Sequence, residues 1–115
     1  MALRADAFYT PEEYLALERA AEYKSEYIDG QIYAMAGVSR AHSLIVLNLG
    51  SEIRGQMRDR PCEVHVTDMR VKVSATGLYT YPDVAVVGGE PLFEDAAVDV
   101  LRNRSVIIVL LSDST

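Results

Sequence analysis

Apolar residues recur along this chain in three rhythms, and each predicts a different kind of element. The first rhythm is helical. Thr10-Pro11-Glu12-Glu13 supplies a cap residue, a proline at the first helical position and a carboxylate at the third, so the donors left unpaired at a helix start are met. Tyr14, Leu15, Leu17 and Ala21 continue from there at helical spacing and predict a helix from Pro11 to about Tyr23. Between two short runs of β-branched and aromatic residues over Ser25–Met35 stands Asp29-Gly30, a dipeptide that tolerates positive φ at both positions and so predicts a β-hairpin. Ser39 then opens a longer helix to about Arg58, with Leu44, Ile45, Leu49, Ile53 and Met57 at steps of three and four. Gly50 and Gly55 weaken this helix without ending its period.

After Pro61 the rhythm changes to alternation. Glu63, His65 and Thr67 alternate with Val64, Val66 and Asp68, and Val71 and Val73 alternate with Arg70, Lys72 and Ser74. These read as two half-buried strands, with Asp68 the residue of a hairpin turn before the second. Ala75 to Tyr81 reads as a loop around Gly77. The third rhythm is unbroken: Pro82 to Val87 is a strand apolar on both faces, stopped by Gly88-Gly89. An acidic loop or short helical segment with Glu90, Glu94, Asp95 and Asp99 leads to a second such strand, Ser105 to Leu111.

The order helix, hairpin, long helix, four strands predicts an α/β chain (α+β, mixed sheet) forming one domain over residues 1–115. The final strand is the most hydrophobic piece and ends four residues before Thr115 with nothing after it to cover it. A buried strand needs neighbours on its edges and layers on its faces, so the domain reads as partial, and the exposed sheet offers a route to a homo-oligomer. With 50% hydrophobic residues and 24% charged, the composition excludes a disordered tail. No apolar run approaches the ~18 residues that a membrane-spanning helix needs, and the first residues lack a signal-peptide core. A cytoplasmic setting without membrane attachment follows as the expectation. The lone Cys62 excludes an internal disulfide and reads as an inert packed thiol.

Eleven basic against 17 acidic side chains leave a net charge of −6, which argues against a protein that coats nucleic acid through a basic face. Locally the balance reverses: Arg40, Arg54, Arg58 and Arg60 outnumber Glu52 and Asp59, a stretch that is either an ordinary solvated helix face or a contact for DNA phosphates. Asp83, just after Pro82 at the head of an apolar strand, is either a turn residue or a carboxylate projected from a rigid element toward a metal site. Near the start of the long helix, His42 is either a dipole-sensitive surface group or a site residue. Glu26 faces Tyr33 across the hairpin, a cross-strand polar contact unless it joins a site.

Taken together, YTPEEYLAL, SEYIDGQIYAMAG, AHSLIVLNL, VTDMRVKV, YTYPDVAVVGGEP and LLSDST resemble the Uma-type restriction endonuclease family within the PD-(D/E)XK superfamily, over essentially Phe8 to Thr115. The resemblance implies a restriction-endonuclease-like core and a Mg²⁺-dependent DNA phosphodiesterase. Matched residue by residue, it assigns site roles to Glu26, His42, Asp68 and Asp83, with Asp83 and Glu26 as the metal-binding carboxylates. The family's next acid falls in the last strand, where this chain has Val109, and its lysine lies in a helix beyond Thr115. With one fixed carboxylate and no lysine to orient water, the expectation is a weak or inactive nuclease. The alternative is a non-catalytic binding or self-assembly module.

Overall fold

The computed structural model describes residues 8–102 and, through its backbone pairing, the strand Val106–Val109. The expected continuation of that strand through Leu110 and Leu111, and the closing stretch 112–115, lie outside the described residues. Helix α1 spans Pro11–Ala20 and opens on a complete capping box, in which the Glu13 amide donates to Thr10 Oγ1 at 3.1 Å and the Thr10 amide donates to Glu13 Oε1 at 2.8 Å. It stops at Ala20 rather than Tyr23, and its inward face is Tyr14, Leu15 and Glu18 rather than an apolar stripe reaching Ala21. The hairpin forms as predicted: β1 (Ser25–Ile28) pairs with β2 (Gln31–Ala34), Glu26 faces Tyr33, and Asp29 and Gly30 hold φ of 48° and 81°.

Helix α2 (Arg40–Gln56) is capped by Ser39, whose Oγ accepts the His42 amide at 3.1 Å. Its buried arc is His42, Val46 and Gly50, with Leu49, Ile53 and Met57 half-buried below. Leu44 and Ile45, expected inside, are 45% and 52% exposed. At 100° per residue Leu49, Ile53 and Met57 share the arc of His42, whereas Leu44 lies about 160° from it, and the arc of His42 is the one that turns inward, where Asp83 receives the imidazole.

Among the described residues six strands follow α2 rather than four: β3 (Cys62–Val66), β4 (Arg70–Val73), β5 (Leu78–Thr80), β6 (Val84–Gly88), β7 (Val100–Leu101) and β8 (Val106–Val109). The expected loop at Ala75–Tyr81 contains β5, and the acidic segment ends in β7. The alternating runs β3 and β4 do not form a hairpin. β3 joins β6 and β8 in a three-stranded sheet of order β3-β6-β8, whereas β4 joins a five-stranded sheet of order β2-β1-β5-β4-β7. Asp68 therefore lies where the chain crosses between sheets, not in a hairpin turn. Alternation fixes which face of a strand is buried but not which strand lies beside it.

One face of the five-stranded sheet packs on α1 through Tyr14, Leu15, Tyr27, Tyr79 and Val100. Its other face, with Val71 and Leu101, meets Ala85 and Val87 of the smaller sheet. The alternate residues of β6, Val84 and Val86, are buried on the side where α2 packs on β3 and β6. β6 is thus central, between β3 and β8, which is why its sequence is apolar on both faces. β8, expected as a strand of the buried type with nothing to cover it, pairs along one edge, with β6, among the described residues.

The two helix glycines give opposite expectations. A Cβ at Gly50 would stand 2.8 Å from Val66 Cγ1, whereas one at Gly55 meets nothing within 4 Å. Gly50→Ala should therefore destabilise by about 1 kcal/mol, overpacking against a stiff β-branched side chain outweighing the helix-propensity gain. Gly55→Ala should stabilise by about 0.5–1 kcal/mol. Urea midpoints that shift in opposite directions would bear this out, and shifts of the same sign would refute it.

Candidate active site

The site grows from the connection between β5 and β6. Tyr81 and Pro82 are buried, so the next residue, Asp83, leaves a fixed backbone at the head of β6. Its Oδ1 lies 2.9 Å from His42 Nε2, and the two side chains are 16% and 6% exposed. His42 reaches it because the Ser39 cap sets the first turn of α2 against that strand end. The backbone of Asp83 is held too, its carbonyl accepting the Thr67 amide at 3.1 Å.

Thr67 has φ of 37°, a left-handed conformation that is uncommon for a β-branched residue and persists only where its surroundings impose it. Its carbonyl accepts from Lys24 Nζ at 3.1 Å, and the same ammonium donates to Asp68 Oδ1 at 3.1 Å while standing 5.4 Å from the centre of the Tyr81 ring. Lys24, Asp68, Tyr81 and Asp83 line one open cavity of about 540 Å³, together with Glu22 and Ser43. Its charged lining is three carboxylates and one ammonium.

Behind the cavity lies a buried polar network. Glu18 Oε2 accepts from the Tyr81 hydroxyl at 2.6 Å and from the Ser25 amide at 2.8 Å. Arg70 Nε donates to the Tyr81 oxygen at 2.9 Å, and the Tyr14 hydroxyl donates to the Ser25 carbonyl at 2.6 Å. Burial, and then the hydrogen bond to the Glu18 carboxylate, push the Tyr81 hydroxyl up to about 12. Tyr14 is raised further by burial and by the charge on Glu18. Arg70 continues the network to Asp99 at 3.5 Å. Arg19 clasps Asp99 and Asp95, and its hydrogen bonds hold the Asp99 carboxyl below the usual carboxylate range.

Of the four residues picked out from sequence, the structure brings His42 and Asp83 into contact and places Asp68 in the same cavity. Glu26 stands apart: it accepts from Thr80 Oγ1, on the alternate face of β1 from the core residue Tyr27, and is not among the cavity's lining residues. Among the described residues no three His, Cys, Asp or Glu side chains converge on a point that would hold a metal ion. The described donors therefore do not by themselves fit a divalent cation. The backbone register sets Val109 opposite Val84, the neighbour of Asp83, so the strand beside Asp83 carries valine at this position.

The sequence pattern does not mark Lys24, Glu18 or Tyr81 as site residues. The one signal for Glu18 was a carboxylate at a helical step from Tyr14 and Leu15. Arg40, Arg54, Arg58 and Arg60 are all exposed. At 100° per residue Arg40 and Arg54 fall within about 40° of one another on the solvent side of α2, and the exposed Leu44 and Leu47 share that side.

Among the described residues, two helices and two sheets form a mixed α/β fold with an aspartate fixed at the head of a central strand, and that fold has a counterpart among solved structures. It superposes with a TM-score of 0.62 on a crystal structure from Anabaena variabilis described as "a putative nuclease belonging to DUF820", 22% identical, over 77% of this chain and 50% of that one. The Uma2 family profile, described as "Putative restriction endonuclease", matches residues 11–110, and the chain belongs to that family. It is also 37% identical over 114 residues to the uncharacterized Synechocystis protein sll1609 and 42% identical over 77 residues to slr1290 of the same organism. The matches span 99% and 67% of this chain but 64% and 40% of those relatives. No described helix is long and apolar enough to cross a membrane.

Proposed function

We propose that Asp83 is the anchoring carboxylate of a phosphodiester-hydrolysing site that acts on DNA in the cytoplasm, and that the 115-residue chain alone is a weak or inactive nuclease. The observation that carries this reading is the Asp83–His42 pair, a nearly buried carboxylate and imidazole 2.9 Å apart, with Asp83 in the wall of an open cavity. His42 orients the carboxylate, Thr67 holds its backbone, and the exposed arginines along α2 supply DNA phosphate contacts. Family membership supports a divalent cation such as Mg²⁺ in the reaction, with Asp83 and Glu26 as the carboxylates matched to it. As Glu26 is bonded to Thr80, the described donors complete no such site, which supports the expectation of low activity.

The test pairs supercoiled-plasmid nicking with Mn²⁺ titration. The chain should nick no faster than its Asp83→Asn variant. Val109→Glu should raise Mn²⁺ affinity roughly tenfold by adding a carboxylate in register beside Val84, and adding Asp83→Asn should abolish that gain. Rapid nicking by the unaltered chain would refute low activity. A gain that survives Asp83→Asn would refute Asp83 as the anchor.

A second reading, a non-catalytic module that self-assembles into a homo-oligomer, is favoured by the exposure of Leu44, Ile45 and Leu47 at 45%, 52% and 61%. Light scattering at micromolar concentration tests it, and a strictly monomeric, folded species would count against it.

A further inference from the structure

Resting on the reading of the cavity as a DNA site, we infer that Lys24 is a phosphate-binding residue of that cavity, and that Asp68 occupies its ammonium until a backbone phosphate of DNA displaces it. The chain has two lysines. Lys72 is half-buried and paired with Glu94 at 3.3 Å, whereas Lys24 is the cation lining the cavity beside Asp83. It stands at the fixed end of the hairpin, its carbonyl accepting the Met35 amide at 3.0 Å.

The two acceptors that hold Lys24 differ in kind. The Thr67 carbonyl belongs to a left-handed backbone whose amide is tied to Asp83, so it stays when the cavity fills. The Asp68 carboxylate is on a side chain 87% exposed, and such solvent-exposed pairs are weak and readily exchanged. A phosphate oxygen is a chemically equivalent acceptor for the same ammonium. Thr67 and the face of Tyr81 keep Lys24 beside Asp83 during the exchange, so the bound phosphodiester lies next to the anchoring carboxylate.

Fluorescence anisotropy with a labelled 20-base-pair DNA duplex, at low salt and with EDTA present, tests the exchange. Lys24→Met should weaken binding at least fivefold and reduce the slope of log affinity against log salt by about 0.9, one phosphate contact. Lys24→Arg should retain most of the affinity. Asp68→Asn, a change at an exposed side chain, should tighten binding several-fold, and the gain should vanish in the Lys24→Met background. That vanishing separates a specific exchange from the general loss of one repelling charge. Binding unchanged by Lys24→Met, a gain from Asp68→Asn that persists without Lys24, or no DNA binding by the folded chain would each overturn the inference. The Mn²⁺ titration of Val109→Glu separates the two readings. Lys24-dependent DNA binding together with a Val109→Glu gain that survives Asp83→Asn supports the inference and removes Asp83 as the anchor, whereas Lys24-independent binding together with a gain that Asp83→Asn abolishes overturns the inference and leaves the anchor standing.

Discussion

Glu18→Ala is expected to lower the stability of the chain by about 3–5 kcal/mol, the range for removing one partner of a buried charged network. The magnitude follows from what is left behind. Glu18 is 8% exposed and accepts both the Tyr81 hydroxyl and the Ser25 amide, so its loss strands two buried donors. Arg70, 7% exposed, would keep Asp99 at 3.5 Å but donate to a Tyr81 oxygen whose own acceptor is gone. Glu18→Gln keeps one acceptor oxygen and the side-chain shape and should lose about half as much. Urea denaturation followed by circular dichroism measures both. A Glu18→Ala midpoint within error of the parent would show that water replaces the network at no cost. Because Tyr81 is two residues from Asp83, the destabilisation should reach the site as well as the core.

Stability should also fall steeply in base. Tyr14, Tyr27, Tyr79 and Tyr81 are buried, and burial raises the folded-state value of each above the ordinary tyrosine value of 10. A hydroxyl raised in the folded state favours folding as long as it stays neutral. Its contribution is complete below pH 10 and is lost as pH rises from there through the folded value, about 12 for Tyr81. By pH 11.5 Tyr81 alone should account for about 2 kcal/mol of lost stability, and Tyr14 adds to it in the same direction. Urea midpoints between pH 9 and 11.5, with tyrosinate absorbance recorded in parallel, give the test. Tyr81→Phe should flatten the curve, and a parent curve already flat over that interval would show that these hydroxyls ionise freely.

Local sequence signals account for some elements and not for others. Thr10-Pro11-Glu12-Glu13, Asp29-Gly30 and Ser39 each act within a few residues, and each produced the predicted structure. β5 has the local pattern of a loop because Leu78-Tyr79-Thr80 is too short to show a period, although Tyr79 is 1% exposed. β7 is two residues long and exists because it lies parallel to β4, which no local pattern encodes. The motifs around Glu26, His42, Asp68 and Asp83 identified the family, but their arrangement in space was not legible. His42 and Asp83 meet across 41 residues of chain, and Lys24 carried no signal at all because its partners, Thr67 and Asp68, are more than 40 residues away.

By itself, then, the sequence determined where helices and turns begin, which segments are apolar enough to be buried strands, and which family's motifs the chain carries. Those properties depend on capping, turn conformation and hydrophobic pattern, all satisfied within a few residues. Tertiary structure decided that β3 and β4 part into different sheets, that His42 rather than Leu44 turns inward, that Glu26 bonds Thr80 outside the cavity, and that Lys24 comes to lie beside Asp83. Strand partners and buried polar contacts are chosen by what the rest of the chain brings alongside, and a hydrogen bond between distant residues leaves no periodic trace in either segment.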